Sequence, residues 1–225
     1  MLQPIIDVLA SILTFLHNNV VSDYGVAIIL LTVLVRIVIL PLTVRQTQQM
    51  YEMQRLQPKL RELQDKYKDN KEKLQQEMMK FYSEHKVNPL GGCLPLILQL
   101  PIFYALFRML SVNKAILAST SLGFFQLGLA PSKSYAMGFM PFIPYLILIL
   151  LLAATTYIPQ RMMTTDPQQQ KMGLYMMPIM VIFGWSLPAG VLVYWVTTNI
   201  WTIGQQYVMV RLASTKAEVK NGENN

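Results

Sequence analysis

The sequence predicts an all-α integral membrane protein: five transmembrane helices forming a hydrophilic groove, a cytoplasmic helical hairpin, and an N-terminal interfacial helix. Three observations predict it. Of 225 residues, 53% are apolar and only 14% charged, whereas a soluble domain usually carries about 25% charged residues. The apolar residues gather in long runs rather than at core periodicity, which points to lipid as solvent. The basic residues fall mainly on connections that one bilayer face can share. The net charge of +7 then reflects cytoplasmic loops and demands no nucleic-acid partner. Cys93 is the only cysteine, which excludes an intramolecular disulfide and a multi-cysteine metal site.

Residues 1–22 read as an outer interfacial helix. No Lys or Arg precedes Arg36, so the charged n-region of a secretory signal is missing. Ile5, Ile6, Leu9, Ile12, Leu13 and Leu16 share a helical face, with Asp7 and Ser11 opposite, as suits a membrane interface. An imperfect extra span is the alternative, against which Asp7 and the short length count. The first span, 23–44, has an apolar core of Gly25 to Thr43, about 28 Å as a helix. After the hairpin of 45–87, the second span covers 88–110, where Asn88 can cap and Pro89 fits the first turn. Pro95 and Pro101 release carbonyls that need partners, which predicts a kinked, well-packed helix.

An outer loop, 111–140, leads to the third span, 141–158, which ends before Pro159. Beyond the cytoplasmic loop 159–171, the apolar block from Met172 to Met209 is too long for one span. Pro188-Ala189-Gly190 supplies a turn that divides it into spans 172–187 and 189–209. In the cytoplasmic tail, 210–225, the polar stretch Thr215 to Asn225 reads as disordered. Orientation follows from charge. Arg45 to Lys86 holds ten Lys and Arg, the loop near Arg161 and Lys171 two, and the tail three. Five spans put all of these on the cytoplasmic side, with the N-terminus outside; Arg108 near the outer end of the second span can snorkel.

The hairpin carries two apolar stripes, Met53, Leu56, Leu60, Leu63 and Tyr67, then Leu74, Met78 and Phe81. Pro58 predicts that the well-formed first helix starts near Gln57, and Lys68-Asp69-Asn70-Lys71 supplies the turn. Helix connections usually take about 2–8 residues, so this one exceeds a spacer. Arg55, Lys59, Arg61, Lys66, Lys68, Lys71 and Lys73 make it a candidate docking surface, although a solvated spacer is the plainer reading.

Arg36 is the most informative residue. Near the centre of the first span, it costs roughly 2.5–3.5 kcal/mol to insert. Every Asp and Glu lies outside the apolar runs of the five spans, with Asp7 and Asp23 near the outer edge, so a water-containing cavity is expected around it. An anionic guest would be a better partner than water; packing through hydrogen bonds to helix carbonyls is the neutral alternative. Thr32 and Thr43 extend a polar stripe along the first span, and Gln99 sits inside the second. Trp195, Thr198, Asn199, Thr202, Gln205 and Gln206 form one on the fifth, with Tyr194 and Trp201 as amphipathic rings. Singly, each could be helix–helix glue; together with an unpaired Arg they predict a hydrophilic concavity. Methionines 162, 163, 172, 176, 177 and 180 suit an adaptable apolar surface, or plain lipid contact.

These residues resemble a known family. Thr32-x-x-x-Arg36 with Pro41-Leu42-Thr43, then Asn88-Pro89-Leu90-Gly91-Gly92-Cys93-Leu94-Pro95 and Gln99-Leu100-Pro101-Ile102-Phe103, are similar to the YidC family of membrane-protein insertases. Met176-Met177-Pro178, Pro188-Ala189-Gly190, Tyr194-Trp195, Asn199 and Gln205-Gln206 continue the likeness in order to the fifth span. The resemblance implies a groove open to cytoplasm and lipid but closed outside, lined by Thr32, Arg36, Gln99, Tyr194 and Trp195. It implies no cofactor, and nascent membrane proteins as clients. The bilayer, the ribosome and a Sec-type translocon are the other expected partners. Longer members carry a large outer domain, and functions tied to it are not carried over. The short, mildly basic tail argues against strong tail-mediated ribosome binding.

The expected mechanism has Arg36 attract acidic residues of a client's hydrophilic segment, while its apolar helix leaves along the first and fifth spans, driven by burial in lipid. The bilayer in question is the bacterial cytoplasmic membrane. No P-loop is present. An anion or small-solute transporter using Arg36 is the first rival, disfavoured by the lack of inverted repeats and of a relay carboxylate. An intramembrane enzyme is the second. His17 and His85 lie outside the spans, and Cys93 has no partner there, so no catalytic set assembles.

Overall fold

The computed structural model describes residues 3–85, 87, 94–112, 116, 118–121, 123–163 and 167–222, without the side chains of 94–98, 110–112, 163, 167–173, 176 and 212–222. Nearly all of it is helical. The predicted start of the second span at Asn88-Pro89 and the cysteine at 93 lie outside the described residues.

Asp23 starts the longest helix. Its carboxylate accepts from the N–H of Gly25 at 2.7 Å and of Val26 at 3.1 Å, a cap worth about 1 kcal/mol. From there α2 (Tyr24–Lys66) runs for 43 residues, about 64 Å. The first predicted span and the first arm of the hairpin are therefore one helix, which corrects the expected restart near Gln57. Pro58 lies inside α2 but is exposed, so the carbonyl it releases four residues back can meet water. The stripe from Met53 to Tyr67 stays unbroken, with Leu60 buried. Asn70 then caps α3 (Lys71–Glu84) by accepting from Lys73 N at 2.9 Å, and the two arms pack together. All seven candidate docking cations on these arms are exposed.

Ahead of α2, α1 (Gln3–Asn19) packs on α2 and on α4 (Leu94–Val112). Its apolar arc is divided. Leu9, Leu13 and Leu16 are buried, whereas Ile5, Val8, Ile12 and Phe15 are exposed. Pro101 lies within α4.

The connection predicted as an outer loop has more structure than a loop. Thr120–Ser121 (β1) pairs antiparallel with Phe125–Gln126 (β2), turning at Gly123 with φ +70°. A short α5 (Pro131–Ala136) follows. This segment holds three helices at once. Ser121 Oγ donates to Asp23 at 2.7 Å, and the Tyr145 hydroxyl of α6 (Phe139–Met163) accepts from Gln126 N at 2.8 Å. The carbonyls of Leu129 and Leu127 accept from the N–H groups of Ala189 at 3.0 Å and Gly190 at 2.9 Å. Those N–H groups open α8 (Ala189–Gly222), where no helical carbonyl could reach them. A Cβ on Gly25 would lie 1.7 Å from Ser121 Oγ, so only glycine admits this contact.

Between α6 and α8 runs α7 (Pro167–Ser186). The core joins Ala27, Ile28 and Leu31 of α2 to Leu148 and Leu152 of α6 and to Val191, Leu192 and Val196 of α8. Gly184 lets α7 approach, since a Cβ there would sit 2.9 Å from Leu152 Cδ2. Helices outrun the predicted spans: α6 passes through Pro159 to Met163, and α8 continues to Gly222. The tail expected to be disordered is thus helical to Gly222, because extending a formed helix through Ala213, Lys216 and Ala217 costs little. Among the described residues, α2 and residues 139–162 of α6 are long and apolar enough to cross a membrane; Met177–Ser186 is a shorter apolar stretch.

Candidate functional site

Polar side chains at mid-bundle link four helices. Arg36 on α2 is half-buried, and its Nη2 donates to Gln99 Oε1 of α4 at 3.4 Å. Gln99 Nε2 in turn donates to the Tyr194 hydroxyl on α8, which is buried. A neutral amide therefore couples a cation to a phenol, with no carboxylate in ion-pairing range of Arg36 among the described residues. At 3.4 Å the guanidinium bond is long for N–H···O. Two turns along α2, Thr43 Oγ1 and the Gln205 amide of α8 meet at 3.2–3.3 Å. Gln206, predicted on the same stripe, is buried, and Gln46 and Thr47 of α2, which were not predicted, are buried as well. Thr47 follows Thr43 by one turn, so its place on the stripe was readable from spacing.

The other predicted residues behave differently. Thr32 is buried, but its hydroxyl donates back to Ile28 O at 2.7 Å rather than to Arg36. Trp195 is half-buried and makes ring contacts with Phe103 of α4 at 5.7 Å and Phe183 of α7 at 6.3 Å. Thr198 is buried, and its carbonyl accepts from the Thr202 hydroxyl at 2.9 Å. Asn199 turns elsewhere. A helix advances roughly 100° per residue, so Asn199 lies about 140° around α8 from Tyr194. Its Nδ2 donates to Thr155 and Thr156 of α6 at 3.3 and 3.1 Å. Neither threonine was singled out by sequence. In the hairpin, Lys66 and Lys73 both lie over the Tyr67 ring at 5.4 Å, which gathers them at its tip. Among the described residues no group of acidic, His or Cys side chains could hold a metal.

A long-helix bundle with apolar side chains outward and a cation among neutral polar groups inside defines a polytopic membrane protein. Its family follows from comparison. The 60Kd inner membrane protein family matches residues 15–217, and the chain belongs to this family of YidC-type membrane protein insertases. The membrane protein insertase YidC of Caldanaerobacter subterraneus is 41% identical over 210 residues, covering 92% of this chain and 94% of that protein. The YidC of Fusobacterium nucleatum is 37% identical, covering 92% and 97%. The YidC of Geobacter sulfurreducens is 39% identical, but this chain spans only 37% of its length. A crystal structure of active YidC insertase with its first transmembrane domain resolved superposes with a TM-score of 0.73 and 27% identity. The match covers 91% of this chain and 46% of that one.

Proposed function

We propose that this protein inserts client proteins into the membrane through a wet groove centred on Arg36. Five spans enclose it: the first half of α2, then α4, α6, α7 and the first part of α8. The hairpin and the end of α8 face the cytoplasm, as the positive-inside rule requires of their Lys and Arg. Arg36, Thr32, Gln99, Tyr194, Trp195, Thr198, Thr202 and Gln205 line the groove, and Asn199 ties its wall to α6. A client's hydrophilic segment enters from the cytoplasm, and its acidic residues replace the weak amide contact of Arg36 with charge-assisted bonds. Its apolar helix then leaves for lipid, driven by burial. The exposed hairpin cations meet the ribosome, a Sec-type translocon or the arriving chain.

One observation carries this reading: a half-buried guanidinium whose hydrogen-bond partner among the described residues is a single amide at 3.4 Å. Such a group is costly in dry packing and is available to a stronger acceptor. Photo-crosslinkers at Trp195 and, as a control, at the outward-facing Val38 test it during synthesis of a small membrane protein with an acidic leading segment. Position 195 should crosslink the hydrophilic segment and position 38 should not. Equal crosslinking, or crosslinks only to the client's apolar helix, would refute it.

A further inference from the structure

The short helix α5 and the turn that follows it are built inside out for a segment in water. Pro131 and Ser134 are fully buried, and the Ser134 hydroxyl donates to Pro141 O at 2.9 Å. Every residue from Tyr135 to Pro141 is exposed, and only Tyr135 among them carries a polar atom on its side chain. Met140 is 76% exposed, as much as the outward-facing Val38 of the first span at 77%. A surface in water hides such side chains and shows its serines. The backbone holds the patch in place. Met137 N and Gly138 N donate to Ser134 O at 3.0 Å and Tyr135 O at 3.2 Å, and Gly138 has φ +124°, a conformation that favours glycine. The Tyr135 ring rests on Phe142 of α6 at 5.4 Å and on Trp185 of α7 at 5.9 Å.

The patch runs without a break into the face of α6 that lipid covers. Steps of seven and eleven residues return to nearly the same side of a helix. Met140, Ile147 and Leu151 thus lie along one line of α6, and Phe139 and Leu150 along the next, and all five are exposed. No Asp, Glu, Lys or Arg stands between Lys133 and Arg161. Phe139 and Arg161 are about 33 Å apart along the helix, against about 30 Å for a hydrocarbon core. With Arg161 at one edge of that core, Phe139 and Met140 sit at the other edge and not in the water beyond it.

We propose that Tyr135 to Met140 form a membrane anchor seated in the leaflet opposite the hairpin. Met137, Phe139 and Met140 lie among the upper acyl chains, and the Tyr135–Trp185 pair lies at headgroup level, where amphipathic rings belong. The leaflet follows from Ser121. Its bond to Asp23 ties this connection to the start of α2, whereas the hairpin lies at the far end of that helix. The same connection supplies the Leu127 and Leu129 carbonyls that open α8, so an anchor here sets the depth of that junction in the bilayer. The anchor rests on the chain spanning a membrane, and on neither Arg36 nor insertion.

The test puts a nitroxide on a single cysteine of the full chain, in a Cys93→Ser background, in liposomes of phosphatidylethanolamine and phosphatidylglycerol. Collisions with oxygen, which concentrates among acyl chains, are compared with collisions with a water-soluble nickel chelate. Met137→Cys and Met140→Cys should give oxygen-to-nickel ratios several-fold above that of Met79→Cys on the hairpin, and Met140→Cys should approach the ratio of Val38→Cys. All four side chains are exposed, so these substitutions leave the packing intact. Ratios at 137 and 140 no higher than at 79 would overturn the proposal by placing the patch in water. Spin–spin broadening at position 140 that disappears on dilution with unlabelled protein would also overturn it, by making the cover a second copy of the chain.

Discussion

The outer end of the bundle and its mid-membrane interior are built from the same kinds of polar residue, yet they are bonded differently. Outside, Ser121 reaches Asp23 at 2.7 Å, Tyr145 reaches Gln126 at 2.8 Å, and the first N–H groups of α8 find loop carbonyls at 2.9 and 3.0 Å. Ser121 and Ser134 are almost completely enclosed there. Inside, Arg36 meets Gln99 at 3.4 Å and Thr43 meets Gln205 at 3.2–3.3 Å. Short, enclosed bonds that knit three helices make a fixed seal. On the proposed reading, long contacts between neutral groups and one cation leave a place where a guest can compete. On that reading, the difference teaches that the closed end is a matter of satisfied backbone and caps, and the open end a matter of under-satisfied charge.

That contrast can be broken at either end. The largest effect is expected at Arg36: Arg36→Ala should cut insertion of a client with an acidic leading segment at least about tenfold, the weight of a charge-assisted bond pair. Protease protection of the client in proteoliposomes measures it, and Arg36→Lys should retain part of the activity because the charge remains. Gly25→Val should lower stability by about 1–3 kcal/mol through overpacking against Ser121, read as a fall in Tm, with helix content unchanged.

The hairpin sharpens the comparison from outside the bilayer. Partial burial pushes the hydroxyls of Tyr51 and Tyr82 above their ordinary value of 10.0. The folded hairpin thus favours the protonated phenols. Its packing should be complete below that ordinary value and be lost as pH rises through the raised ones, which absorbance of tyrosinate followed alongside circular dichroism would detect. The smallest effect is expected at Asn199. Asn199→Ala should cost only about 0.6 kcal/mol, the average for hydrogen bonds between membrane helices. It should leave client crosslinking from position 195 unchanged, because Asn199 faces α6.

Much of this was legible in the sequence. The stripes on α2 and α3, the turn at Lys68-Asp69-Asn70-Lys71 and the break before Ala189 all follow from periodicity and turn chemistry, which act over a few residues. Arg36 stood out because an intramembrane charge is conspicuous whatever surrounds it. What the chain did not reveal depends on long-range pairing. Asp23 caps a helix by local rules, but its bond to Ser121 needs two segments 98 positions apart to meet. Asn199 falls within the polar arc of α8, and only the position of α6 decides that it faces Thr155 and Thr156. Pro58 has the right residues around it to start a helix; continuity won because Pro58 is exposed, so the carbonyl it frees can meet water, and the stripe gains from being unbroken.

The central claim is that water reaches the guanidinium from the inner face alone. Gln99→Cys in a Cys93→Ser background places a single thiol beside Arg36, to be reacted with a membrane-impermeant maleimide added to one side of oriented vesicles. Labelling from the cytoplasmic side and none from the outside is the predicted result. A thiol inert from both sides, or reactive from the outside, would contradict it.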